Sequence, residues 1–149
     1  MFKRLLFGYF TGLLLAIILP LTVNAQKQST DESKHIIFIE NSWHEALKQA
    51  SAQNKYIFVD AYASWCSPCK MLKFTTFKNS KAAIFYNQNF INVAIDMEKG
   101  EGPQLAAQWG LQAYPTLIVF DSSGKPVSGT VGYIKADDLI RFGQEALKK

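Results

Sequence analysis

The apolar run Tyr56-Ile57-Phe58-Val59 leads through Asp60-Ala61-Tyr62-Ala63-Ser64 into Trp65-Cys66-Ser67-Pro68-Cys69-Lys70. This stretch holds both cysteines of the 149-residue chain. A short run rich in β-branched and aromatic residues reads as a buried central strand. Pro68 suits the first turn of a helix, and Lys70 to Phe77 continues it with Met71, Leu72 and Phe74 at helical spacing. The cysteines therefore fall where a strand ends and a helix begins. Unpaired backbone N–H groups and the helix dipole at such a start favour negative charge, and the thiolate is the reactive form of cysteine. Cys66 is expected to ionise readily, whereas Cys69, one turn further in, is expected to be more buried and less ionised. That asymmetry makes Cys66 the attacking thiol and Cys69 the resolving one. Two blander readings stand beside it. A structural bridge would close a tiny loop and constrain the unfolded chain little. A zinc site needs about four ligands; a second cysteine pair is missing, and His35 and His44 lie upstream on other elements. No metal is expected.

The segments on either side complete an α/β pattern. His35 to Ile39 suits a first strand. Ser42-Trp43-His44-Glu45 fits a capping box that opens a helix ending at Asn54, with Glu45 reaching back to the cap. Ala82 to Asn87 adds a helical piece, and Phe90 to Asp96 reads as a strand. Gly100 and Gly102 mark a loop before a short helix from Pro103 to Gly110. Thr116 to Phe120, the turn Asp121-Ser122-Ser123-Gly124 and Pro126 to Val131 form a hairpin, with Pro126 favouring a sheet edge. A final helix runs from about Lys135 to Leu147 and lines Ala136, Leu139, Ile140, Gly143 and Leu147 on one face. The order is βαβαβαββα, which predicts a central mixed sheet with helices on both faces. In such sheets, sites form at the carboxyl ends of strands, where the cysteines lie.

The amino terminus is of another kind. Lys3-Arg4, an apolar run from Leu5 to Val23 and the small-residue site at Ala25 form a secretory signal pattern, so residues 1–25 are expected to be cleaved as a signal peptide. The alternative is retention as a membrane anchor. Residues 26–34 read as a polar, flexible leader, and 35–149 as one domain. Removing 1–25 from 149 leaves 124 residues, enough for a single core. Loss of Lys3 and Arg4 lowers the net charge from +4 to +2, so the basic balance does not argue for a nucleic-acid partner. Lys70, Lys73, Lys78 and Lys81 read as a solvated helix face that at most steers acidic partners or raises the positive potential near the thiols.

The run Val59 to Lys70 resembles the active-site segment of thioredoxins. Ala113-Tyr114-Pro115-Thr116 stands where that family carries its cis-proline loop, and Gly132 matches a glycine after the hairpin. The run Cys69 to Phe77 resembles the terminal thioredoxin-like domains of DsbD-type thiol:disulfide interchange proteins and their stand-alone secreted relatives. The resemblance implies a thioredoxin fold over nearly the whole segment 35–149. It also implies that Asp60 is the buried acid behind the thiols, able to exchange a proton with Cys69. Many members place a lysine near this acid on the following strand, and Phe90 to Asp96 has none. Pro115 would be the cis-proline facing the thiols and would expose the backbone of Tyr114 for strand-like pairing with a substrate. Tyr114, larger than the residue usual at that position, alters partner fit or simply packs. Trp65 would shield the thiols and offer a flat contact, and Lys70 would add positive potential beside them. Trp43 and Trp109 are expected to pack in the core.

The expected protein is therefore a periplasmic or secreted thiol-disulfide oxidoreductase, monomeric, using the Cys66/Cys69 dithiol without a separate cofactor. Ser67-Pro68 between the cysteines, with Asp60, resembles reducing family members. Its partners would be disulfide-containing envelope proteins and a membrane thiol electron donor, since an exported dithiol is out of reach of cytosolic reductants. The alternatives are a redox-inert peptide-binding module and a dedicated reductant for cytochrome c maturation.

Overall fold

A computed structural model describes residues 34–149; the expected signal segment, its cleavage site and all but Lys34 of the polar leader lie outside the described residues. In chain order the elements are β1 (Ile39–Glu40), α1 (Trp43–Gln53), β2 (Tyr56–Tyr62), α2 (Ser67–Phe74), α3 (Ser80–Asn89), β3 (Phe90–Asp96), α4 (Gly102–Gln108), β4 (Thr116–Phe120), β5 (Pro126–Val131) and α5 (Ala136–Ala146). The sheet order is β1-β3-β2-β4-β5. β1 and β2 run parallel to β3, whereas β4 is antiparallel to both β2 and β5. This is the expected mixed sheet, with β5 and its Pro126 at an edge.

β2 lies at the centre, and Ile57, Phe58 and Val59 are fully buried. Strand alternation sends their side chains to opposite faces. Ile57, Val59 and Ala61 join a cluster with Ala46 and Ala50 of α1. Phe58 joins the other, with Leu72 of α2, Tyr86 of α3 and Leu139 of α5. By the same parity Asp60 shares the face of Phe58, the one that α2 covers. Trp43 and Trp109 pack edge to face at 5.1 Å, and Trp43 also meets Phe120 at 4.9 Å, as expected of core aromatics.

Three local expectations are corrected. The first strand covers Ile39–Glu40 rather than His35 to Ile39. The preceding backbone is satisfied outside the ladder: Ile36 N–H donates to the Phe77 carbonyl at 2.8 Å, and Ile37 N–H to Asn87 Oδ1 at 2.9 Å. Only half of the capping box forms. Ser42 Oγ accepts from Glu45 N–H at 3.3 Å, but the Glu45 carboxylate instead accepts from Gln49 Nε2 at 2.9 Å. The helix after the cysteines stops at Phe74 instead of reaching Phe77. Thr75 Oγ1 donates back to the Met71 carbonyl at 2.6 Å, and Thr76 Oγ1 donates to Ile134 O at 2.7 Å. These side-chain bonds compete with the helical ladder. One turn of 3-10 helix, Thr76–Lys78, then carries Phe77 into the core, and Asn79 caps α3.

α5 closes the α2/α3 face. Tyr86 is fully buried, and its hydroxyl donates to Leu139 O at 2.7 Å. Gly143 lets α5 approach: a Cβ there would stand 2.7 Å from Phe85 Cε1 and 2.8 Å from the Tyr86 hydroxyl. Overpacking of this kind costs about 1–3 kcal/mol, against roughly 1 kcal/mol gained by replacing a helical glycine with alanine. Gly143→Ala is therefore expected to lower stability by about 1 kcal/mol in urea unfolding, although helix propensity alone predicts a gain.

Candidate active site

Cys66 is the N-cap of α2, and its Sγ accepts the backbone N–H of Cys69 at 3.2 Å. Ser67 and Pro68 form the first turn, where Pro68 loses no helical hydrogen bond. The two cysteines are joined by a disulfide, with Cα atoms 5.3 Å apart. Contrary to the expected asymmetry, both are buried to a similar degree, Cys66 at 2% exposure and Cys69 at 4%. Tertiary packing is the reason: Tyr62 and Tyr114 close on the cluster of Ala63, Cys66 and Cys69.

Asp60 lies behind the pair. Its carboxyl is buried, and Oδ1 has no hydrogen-bond partner. Burial disfavours the ionised form and Glu40 adds to the effect, while Lys73 opposes it; together they push Asp60 from 3.8 up to about 7. Asp60 and Cys69 line one cavity of about 270 Å³, together with Glu40, Lys73, Phe74 and Ala94. The lysine lacking on β3 thus has a counterpart on α2. A larger groove of about 660 Å³, between Trp109 and β5, does not reach the cysteines.

On the other side, Trp65 is 64% exposed and donates Nε1–H to Glu98 Oε2 at 2.8 Å. Its ring meets that of Tyr114 edge to face at 6.3 Å. The Tyr114–Pro115 bond is cis, and the carbonyl of buried Pro115 accepts from Gly132 N–H at 2.8 Å. Neither the N–H nor the C=O of Tyr114 is hydrogen-bonded to another described residue. Lys70 is exposed beside the pair. The fold thus brings Asp60, Trp65, Ser67, Pro68, Lys70, Tyr114 and Pro115 around Cys66 and Cys69. Two neighbours were not read from the sequence, Glu40 and Glu98, and Lys73 was read only as part of a basic helix face. Its place beside Asp60 could have been found, since it stands one helical turn after Cys69. Glu40 and Glu98 could not, because only strand register and loop packing bring them near.

A family model for a thioredoxin-like domain matches residues 43–147. The chain belongs to the thioredoxin-like family. It is 28% identical over 112 residues to the thiol:disulfide interchange protein DsbD of Campylobacter jejuni, covering 73% of this chain and 20% of that protein. It is 24% identical over 138 residues to a protein disulfide-isomerase of Medicago sativa, covering 92% of this chain and 26% of that one. The chain thus spans about a quarter or less of the length of these two curated relatives. A solved structure from Bacteroides thetaiotaomicron, named as a candidate disulphide-isomerase, is 41% identical with a TM-score of 0.69. That match covers 78% of this chain and 96% of the other.

This thioredoxin-like protein carries the Cys66–Cys69 disulfide at the end of β2, with the buried acid Asp60 behind it. The buried acid of its site has a consequence for stability. Because the folded state holds the Asp60 proton up to about pH 7 and the unfolded state releases it near 3.8, folding binds a proton between these values. Stability from this group is fully present below about pH 4, falls as pH rises, and levels off above about 7. Asp60→Asn removes that loss. The oxidised variant should gain on the order of 4 kcal/mol over wild type on going from below pH 4 to about pH 8. Urea unfolding at both pH values checks this; identical pH dependence of the two proteins would contradict it.

Proposed function

We propose that this protein reduces or exchanges disulfides in other proteins outside the cytosol, with Cys66 attacking and Cys69 resolving. The observation that carries the reading is the Cys69 N–H aimed at Cys66 Sγ from the first turn of α2. In the reduced protein the same donor and helix end would stabilise a Cys66 thiolate. Cys69, one turn further in and on the cavity that holds Asp60, would release its proton to that acid. The exposed Trp65, the Tyr114 ring and the unpaired Tyr114 backbone form the surface on which a substrate strand would dock beside Pro115. Lys70 adds positive potential next to the thiols.

The dithiol carries two electrons and needs no separate cofactor, and the protein acts as a monomer. Reduction is favoured as the direction by Ser67-Pro68 and by a buried acid that accepts a proton near neutral pH. Location outside the cytosol is supported by Lys3-Arg4, the apolar run after it and the small residue at Ala25. There the oxidised pair is re-reduced by a membrane thiol donor, and the substrates are disulfide-containing envelope proteins.

Insulin reduction by the full chain, with dithiothreitol as donor, tests the activity. Wild type should turn over while Cys66→Ser falls to the uncatalysed rate; equal rates would instead support a redox-inert peptide-binding module. In cells, Cys69→Ala should accumulate mixed disulfides through Cys66, and the trapped proteins should be envelope proteins and the membrane donor. Capture of cytosolic proteins alone would refute the location. A measured reduction potential near that of strong periplasmic oxidants, about −120 mV, would reverse the direction.

A further inference from the structure

Glu40 and Asp60 stand in register with the same residue of β3, Ala94, from its two sides. Residues in one row across a sheet project from one face, so both carboxylates and the Ala94 methyl face α2. Two strand spacings separate the backbones of Glu40 and Asp60 by about 10 Å. A methyl between them leaves that space open, and it is part of the cavity of about 270 Å³. α2 roofs the space. Cys69 and Lys73 are four residues apart, one above the other on the helix, and both line the cavity. Among the described residues neither Glu40 nor Lys73 is in a side-chain ion pair within 4 Å, so each charge acts across the cavity.

The other groups facing Asp60 are few. Tyr62 of β2 and Lys70 of α2 line the same cavity. The Tyr62 hydroxyl is held protonated by burial and by nearby acids, Glu40 first among them, so it carries no charge near neutral pH. β3 contributes Ala94 to the row, and its Asp96 is paired with Lys99 at 2.9 Å. β4 places Leu117 opposite Asp60 and adds no charge.

Resting on the reading of Cys66 and Cys69 as attacking and resolving thiols, we propose that Glu40 and Lys73 are positioning residues that act on Asp60 in opposite senses. Lys73 favours the carboxylate that takes the Cys69 proton, and Glu40 favours the acid that keeps it. In the resolving step Cys69 gives its proton to Asp60, and its sulfur bonds to Cys66 Sγ. The Cys66–substrate disulfide breaks, and its electron pair leaves on the substrate sulfur, which takes a proton from solvent. The substrate has then gained two electrons, and the Cys66/Cys69 dithiol has lost two. Asp60 discharges its proton through the cavity, whose mouth Glu40 and Lys73 flank as exposed side chains.

The test isolates that step. The full chain is reduced, freed of reductant and mixed in a stopped-flow instrument with one equivalent of the aryl disulfide DTNB. Attack by Cys66 releases one thionitrobenzoate, and resolution by Cys69 releases the second. The rate of the second phase is followed from about pH 5 to about pH 9, spanning the ordinary carboxylate and thiol ranges. Glu40→Gln should move the lower midpoint down and Lys73→Met should move it up, each by about 0.5–1 unit for partly screened charges. In an Asp60→Asn background the lower midpoint should be absent, so neither substitution has it to move. Unchanged midpoints, shifts of the same sign, or a lower midpoint that still shifts without Asp60 overturn the inference. Absence of a second phase in wild type overturns it together with the dithiol reading, whereas two phases with immovable midpoints count against Glu40 and Lys73 alone.

Discussion

β2 is paired along both edges and buried on both faces, and the rest of the molecule is arranged around that constraint. A strand so placed has no solvent into which to turn a side chain, so each of its residues must be apolar or serve a purpose. Ile57, Phe58, Val59 and Ala61 satisfy the first condition. Asp60 does not, and its unpartnered Oδ1 is a cost that packing elsewhere must offset. The strand's pairing with both β3 and β4 holds that acid in place. Its parity aims the carboxyl at α2, and the end of the strand delivers the chain to Cys66.

The site then follows from two ends meeting. The carboxyl end of β2 leads into the amino end of α2, where the backbone supplies a donor for the Cys66 sulfur. The loop that leads into the hairpin of β4 and β5 packs Tyr114 against the cluster of Ala63, Cys66 and Cys69, with Gly132 N–H holding the Pro115 carbonyl. Two differently built sides result. One is an exposed aromatic surface of Trp65 and Tyr114, steadied by Glu98. The other is a partly enclosed, charged cavity behind Cys69. The first is the surface on which the proposed reading docks a substrate strand, and the second is where it places proton traffic.

Much of this arrangement was legible in the chain itself. The strand, the helix start at Pro68 and the hairpin follow from periodicity and turn chemistry, which are local. The cysteine spacing at a helix start favours a redox pair, and the lack of further ligands argues against zinc. The pattern was less legible where a side chain competes with the backbone. Thr75 and Thr76 end α2 early, Asn87 and Asn92 take bonds that a longer β1 would have used, and Glu45 turns to Gln49. Each is a choice between two hydrogen-bond partners of similar strength, which neighbours decide.

What the sequence determined by itself is therefore the kind of chemistry and its scaffold: a Cys-x-x-Cys pair at a helix start, an acid in a buried strand and a proline before another. These are set by residues adjacent along the chain. Only the tertiary structure decided the electrostatic surroundings of Asp60. Glu40 reaches it through strand register across Ala94, and Lys73 through the packing of α2 over the sheet. Charge interactions act through space, so a lysine on a helix can stand near an acid where none was found on the neighbouring strand. The near-equal burial of the two cysteines has the same origin, since Tyr62 and, from far along the chain, Tyr114 pack against their cluster.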